Sequence, residues 1–258
     1  MNGALRLDGE VALITGATSG LGKVIAKRFV AEGATVVITG RNKTRGEKVA
    51  KDLGSGAVFI AADLSEESQI ETLVATALKR VGAFSIVVNN AVDNVSMNKD
   101  GPVATVSWES FLQILTVNLV SVAALCRLIV PQMVAQGRGS VVSVSSRAAS
   151  RGTPHLAAYS ASKGGLNALT RSMAMDYGQK GIRFNTVEAG YILHEERDRD
   201  ADEHVVQRRR ASQLLPLTTP EQVANAVLFL ASHESGAITG VTLKVDGGSS
   251  EMRSLVVG

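Results

Sequence analysis

Seven short runs rich in β-branched residues recur along the chain, and longer periodic segments separate most of them. The runs are EVALIT (10–15), TVVIT (35–39), AVFIA (57–61), SIVVN (85–89), SVVSVS (140–145), IRFNTV (182–187) and VTLKV (241–245). Helical periodicity spans 20–32, 43–53, 66–80, 107–136, 157–178 and 220–231. Strands this apolar need cover on both faces, and amphipathic helices need a sheet to cover. The alternation therefore predicts βαβ units with right-handed crossovers: an α/β fold with a doubly wound parallel sheet of about seven strands and helices on both faces. No Pro/Gly/Ser-rich linker or low-complexity stretch divides the chain, so residues 1–258 are expected to form a single domain.

Composition narrows the function classes. Lys and Arg number 27 against 24 Asp and Glu, a net charge of +3 with the signs interleaved, which is no footprint for nucleic acid. The run Arg208-Arg209-Arg210 lies beside five acids between Glu195 and Asp202, and reads as a solvated helix face. Cys126 is the only cysteine and the four histidines are scattered, so neither an internal disulfide nor a metal site is expected. The amino terminus has no basic region followed by a long apolar stretch, and the apolar segment around Phe111–Met133 is broken by Asn118 and Arg127. A cytoplasmic protein without a membrane span is the expectation.

Two polar segments interrupt the rhythm, at 93–106 and 190–216. Both follow strands and so belong at the carboxyl edge of the sheet, where open α/β folds bind ligands. The second, long and charged, reads as a substrate lid.

Between the first strand and the first helix stand Gly16, Gly20 and Gly22, in LITGATSGLGKVIAKRF. Glycines there let the backbone approach a pyrophosphate at a helix amino terminus. The second strand ends Thr39-Gly40-Arg41-Asn42, with no acid to hold a ribose 2′-hydroxyl. The planar fork of Arg41 suits a 2′-phosphate, which points to NADP(H) ahead of NAD(H).

Tyr159-Ser160-Ala161-Ser162-Lys163 opens a helix. Residues four apart share a face, so the Lys163 ammonium is expected beside the Tyr159 phenol, lowering its pKa for acid or base work near neutral pH.

Together these motifs resemble the short-chain dehydrogenase/reductase family, a Rossmann-like fold, over nearly the whole length. TGxxxGxG stands as Thr15-Gly16-Ala17-Thr18-Ser19-Gly20-Leu21-Gly22, the acid after strand three as Asp63-Leu64, and NNA as Asn89-Asn90-Ala91. The helix asparagine is Asn118, the serine thirteen residues before the tyrosine is Ser146, and VDGG is Val245 to Gly248. The resemblance implies that Tyr159 is the acid, Ser146 orients the substrate oxygen, and Lys163 grips the nicotinamide ribose. Asn118 would hold a water in a proton relay with Lys163. It implies cofactor contacts from Gly16, Thr18, Ser19, Gly20, Leu21, Gly22, Arg41, Asp63, Leu64, Asn90, Tyr159, Lys163, Gly190 and Ile192. It also implies a homotetramer, or at least a dimer, through the helices of Asn118 and Tyr159.

Four positions depart from the family pattern. Val92 replaces the glycine of NNAG, Glu188-Ala189-Gly190 replaces the proline-glycine motif, His194 replaces a threonine, and Ser19 replaces a basic residue common in NADP-binding members. Glu188 is expected near the nicotinamide, favouring its positively charged oxidised form. The leading reading is an NADP(H)-dependent oxidoreductase acting between a carbonyl and a secondary alcohol. The alternatives are the same chemistry with NAD(H) as an alcohol dehydrogenase, and a weakly catalytic dinucleotide-binding sensor or scaffold. Substrate shape would come from 93–106, Arg147 to Leu156 and the lid.

Overall fold

The computed structural model describes residues 5–192 and 202–252. Its strands are β1 (Val11–Thr15), β2 (Thr35–Gly40), β3 (Ala57–Ala61), β4 (Ile86–Asn89), β5 (Gly139–Ser146), β6 (Ile182–Ala189) and β7 (Thr242–Val245). All pair in parallel in one sheet, in the order β3-β2-β1-β4-β5-β6-β7. The order reverses between β1 and β4, the switch point where such sheets open a crevice.

The pleat divides the strand side chains between two cores. Ala12, Ile14, Val36, Ile38, Val142 and Val144 pack on one face under α1 (Gly20–Ala31) and, at the far side, Pro220–Ala231. Leu13, Val37, Val87, Val141 and Phe184 pack on the other under α3 (Glu67–Val81), whereas α2 (Lys43–Leu53) flanks β3 on the α1 face, where Val49 joins that core. Each fully buried aliphatic side chain contributes ~1.5–3 kcal/mol. This is why the strands read as nearly continuous apolar runs.

After β4 the chain forms a short α4 (Asn94–Met97), then α5 (Trp108–Leu115), a wide π-turn over Thr116–Val120, and α6 (Ser121–Gln136). The combined stretch Trp108–Gln136 is long and apolar enough to cross a membrane, but half of its most apolar window is buried inside the fold, against α3 and α7 (Ala157–Tyr177). The lid contributes α8 (Glu203–Ala211), and Pro220–Ala231 is α9.

The sequence-based strand boundaries hold to within a residue or two, and two of the small differences matter. β5 and β6 run in register from Gly139↔Ile182 to Ser146↔Ala189, two residues beyond the expected end of β6. The extension places Ser146 and Ala189 at the carboxyl edge as ladder partners.

Candidate active site

Because every strand is parallel, Gly16, Arg41, Asp63, Asn90, Ser146 and Gly190 all emerge along one edge. Between β1 and α1 the backbone at Gly16 is left-handed (φ +65°), and a Cβ there would meet Ala91 Cα at 2.8 Å. A Cβ on Gly22 would meet Gly16 O at 2.4 Å, so α1 approaches the loop to a distance only glycine permits. Asn90 Nδ2 donates to Thr15 O (2.9 Å) and Gly16 O (3.2 Å), while Thr15 Oγ1 accepts from Asn90 N and Ala91 N, both at 3.0 Å. Asn90 thus pins the glycine loop to the end of β4, leaving its backbone to face the crevice. Thr18 packs beneath the end of β2, where a Cβ on Gly40 would meet its Cγ2 at 2.9 Å.

The amino terminus of α1 has no side-chain cap from Ser19 and no acid in its first turn. Its free N–H groups and positive dipole end, above a cradle kept open by glycine, fit the pyrophosphate of a dinucleotide. At the adjoining rim, Asp63 Oδ1 accepts from Ser65 N and Oγ, whereas Leu64 turns into the core with Ile70 and Leu73. Arg41 is more than half exposed, with Nη2 4.0 Å from Oδ1 of the buried Asp93. Its neighbour is therefore a carboxylate that sequence reading did not single out.

At the centre, the Ser146 hydroxyl neighbours the Tyr159 phenol. Ser145, which the sequence could not tell from Ser146, points the other way, with Oγ 3.5 Å from Lys163 O. Burial raises the Tyr159 phenol above its ordinary pKa, and the neighbouring Ser146 hydroxyl lowers it in part. This corrects the expectation that Lys163 lowers it. The ammonium lies 5.8 Å from the Tyr159 ring centroid and donates to Val144 O at 2.9 Å. Burial pushes Lys163 itself down to about 8.

Asn118 sits in the π-turn, its side chain joined to two neighbours. Oδ1 accepts from Asp93 N (3.1 Å) and Nδ2 donates to Ser162 Oγ (3.1 Å). Ser162 Oγ in turn donates to Tyr159 O at 2.7 Å. The side chain therefore ties the 93–106 segment to the catalytic helix, and a water relay would draw on the main-chain carbonyls that a π-turn frees.

Glu188 also departs from expectation. It is buried between β6 and α7, where Oε1 accepts from Ser150 Oγ (2.6 Å) and Oε2 from Asn167 Nδ2 (3.3 Å). The carboxylate supports the turn after Ser146 from within the core and does not face the crevice. Val92 is half-buried and lacks a left-handed backbone, so the missing glycine causes no strain there. Gly190 is required for a local reason: a Cβ would meet Asp246 Cα at 2.7 Å. His194 and Glu195 lie outside the described residues.

The described part of the lid folds back on the edge. Ile192 bridges to Thr218, the Arg209 guanidinium lies 4.0 Å over the Tyr191 ring, and the N–H groups of Leu214 and Leu215 donate to Gly247 O. Among the described residues, no group of His, Cys, Asp and Glu side chains is arranged to hold a metal ion. The one thiol, Cys126, is buried and pushed up to about 12 by that burial.

Comparison with known proteins agrees with this geometry. Residues 16–250 match a family model described as enoyl-(acyl carrier protein) reductase. The chain is 38% identical over 249 residues to the NADP-dependent (R)-specific alcohol dehydrogenase of Lentilactobacillus kefiri, covering 94% of this chain and 97% of that one. It is 32% identical over 246 residues to a 3-oxoacyl-(acyl-carrier-protein) reductase of Chlamydia muridarum, covering 94% and 98%. A solved short chain dehydrogenase/reductase family protein superposes with a TM-score of 0.87 at 36% identity, over 96% of this chain and 100% of the other. A glycine cradle at the switch point, a Ser–Tyr pair over a buried lysine and these full-length likenesses converge: the chain belongs to the short-chain dehydrogenase/reductase family of oxidoreductases.

Proposed function

We propose that the protein is an NADP(H)-dependent oxidoreductase that interconverts a carbonyl compound and its secondary alcohol. The observation that carries this reading is the placement of the Ser146 hydroxyl beside the Tyr159 phenol at the carboxyl edge, with Lys163 buried behind them. When bound, the nicotinamide cofactor supplies or accepts the hydride.

The residues of this chain supply the rest. Gly16, Gly20, Gly22 and the first N–H groups of α1 hold the pyrophosphate, while Asp63 and the backbone at Asn90 border the adenosine side. Gly190 and Ile192 close the other end. In the reductive direction Ser146 hydrogen-bonds the carbonyl oxygen and Tyr159 gives it a proton. Burial suits this role, because a raised phenol stays protonated at neutral pH until the oxygen needs the proton. Lys163, moved off Val144 O, would bind ribose hydroxyls and stabilise the phenolate.

Arg41 is the proposed 2′-phosphate reader, and the NADP dependence of the Lentilactobacillus kefiri relative supports it. Asp93, 4.0 Å away, favours the second reading, in which Arg41 is engaged by that carboxylate and NAD(H) serves. Fluorescence titration with NADPH and NADH separates the two. Tight NADPH binding that weakens at least ~10-fold in Arg41→Ala supports the first reading, and a preference for NADH supports the second. Tyr159→Phe is expected to bind NADPH like the parent while turnover falls at least ~100-fold; substantial residual turnover would remove Tyr159 from its role. The buried free thiol and the core position of Trp108–Gln136 support a cytoplasmic enzyme.

A further inference from the structure

The helix that carries Tyr159 begins without local support. The chain enters α7 through His155, the sole non-glycine residue with a left-handed backbone among those described (φ +61°). Leu156 then occupies the capping position and can offer no side-chain acceptor. The first N–H groups of a helix have no partner within it, and a helix end inside a protein must find acceptors elsewhere.

Here they come from a segment more than fifty residues upstream. Ala157 N donates to Gly101 O at 3.3 Å. Ala158 N donates to Asp100 Oδ1 at 3.2 Å, and Tyr159 N donates to Asp100 Oδ2 at 2.9 Å. Asp100 Oδ1 also accepts from Gly101 N at 2.8 Å, which orients the carboxylate. Asp100 is half-buried, so these charge-assisted bonds are partly shielded from water.

The same segment reaches the other side of the Tyr159 residue. Asp93 N donates to Asn118, Asn118 to Ser162, and Ser162 to Tyr159 O. Tyr159 is therefore held at its N–H by Asp100 and at its carbonyl by a chain that starts seven residues earlier, at Asp93. Both holds originate in the 93–106 segment, which borders the substrate side of the crevice.

We propose that Asp100 is a positioning residue for the reaction: it caps α7 from across the crevice and fixes the height of the Tyr159 hydroxyl over Ser146. The proposal rests on the role of Tyr159 given above. It makes the segment after β4 part of the catalytic scaffold and not only a wall of the pocket.

The test compares the parent with Asp100→Ala, Asp100→Asn and Tyr159→Phe in the full-length protein. Amide hydrogen exchange of the peptide covering 157–163 is measured against a control in α9. Turnover uses acetophenone as a probe ketone with NADPH. Asparagine puts an NH2 donor where one of the two carboxylate oxygens stood, so in the same rotamer Ala158 N and Tyr159 N, which use different oxygens, cannot both keep their acceptor. Exchange in 157–163 is expected to accelerate in the order parent, Asp100→Asn, Asp100→Ala, with the α9 control unchanged. The kcat is expected to fall in the same order, by at least ~10-fold for alanine, with KM for NADPH within about two-fold, since small misplacements of a reacting group act on kcat. Should alanine prevent folding, asparagine carries the comparison.

Unchanged exchange in 157–163 overturns the proposal whatever the turnover. Faster exchange with parental kcat also overturns it, because the cap then holds the helix without serving the reaction. If Tyr159→Phe still reduces the ketone, the role of Tyr159 falls instead, and exchange alone decides whether Asp100 caps the helix.

Discussion

Lys163 shows how one residue carries opposing demands. Its ammonium is buried and shifted down to about 8 from 10.5. Below about pH 8 the folded and unfolded chains are both protonated here, and the fold bears the full cost of burying the charge. Between about 8 and 10.5 the unfolded chain binds more protons, so this group makes stability rise with pH. Each pKa unit corresponds to ~1.4 kcal/mol, which puts the relief on the order of 3 kcal/mol. Lys163→Met is expected to be more stable than the parent at pH 7, with the difference shrinking by pH 10, as urea unfolding at the two values would report. Function runs the other way: kcat/KM for carbonyl reduction should decline above about pH 8, as the free enzyme loses the lysine charge. A flat profile to pH 9.5 would contradict that. The pairing of Tyr159 with Lys163 was legible from their four-residue spacing, but the direction of the tyrosine shift was not. Spacing reveals neighbours, whereas burial and the turn of Lys163 toward Val144 depend on how α7 lies against β5.

At the level of elements, Asn118 is the joint between α5 and α6. Its amide satisfies Asp93 N and Ser162 Oγ across the π-turn, linking the loop after β4 to the catalytic helix. Asn118→Leu keeps the bulk and removes both partners. It is expected to lower stability by ~1–3 kcal/mol in chemical unfolding, the cost of leaving buried polar groups unpaired, and to reduce turnover more than NADPH affinity. The strands themselves were easy to find, because a parallel sheet covered on both faces demands uninterrupted apolar runs. The ends of β5 and β6 were harder: Ser146, Glu188 and Ala189 have no strand preference, and their extension comes from ladder pairing across the two strands. Asp100 was harder still. Its partners lie in a helix that begins at Ala157, and the one local hint is negative, a leucine where that helix should have a cap.

For the whole molecule, apolar side chains are left exposed on α5 to α7. Leu112, Val120 and Met175 are 44%, 54% and 84% exposed there, on the helices through which the family resemblance implies subunit contacts. A dimer or tetramer would cover them. Light scattering is expected to give a multiple of the 27.0 kDa chain mass, and Met175→Asp to shift it toward that mass. A monomeric parent would exclude this. The overall architecture could be read from the sequence because it is built from repeated local units. The lid could only be placed, since its charged composition says little about how Tyr191, Arg209 and Gly247 hold it. One buried side chain has a practical consequence on this scale. With its only cysteine at position 126, shut inside and slow to ionise, the native chain offers almost nothing to thiol-directed dyes. A cysteine introduced at Leu215, which is 65% exposed in the lid, would be the sole reactive handle, ready to carry a fluorophore without first engineering a background-free protein.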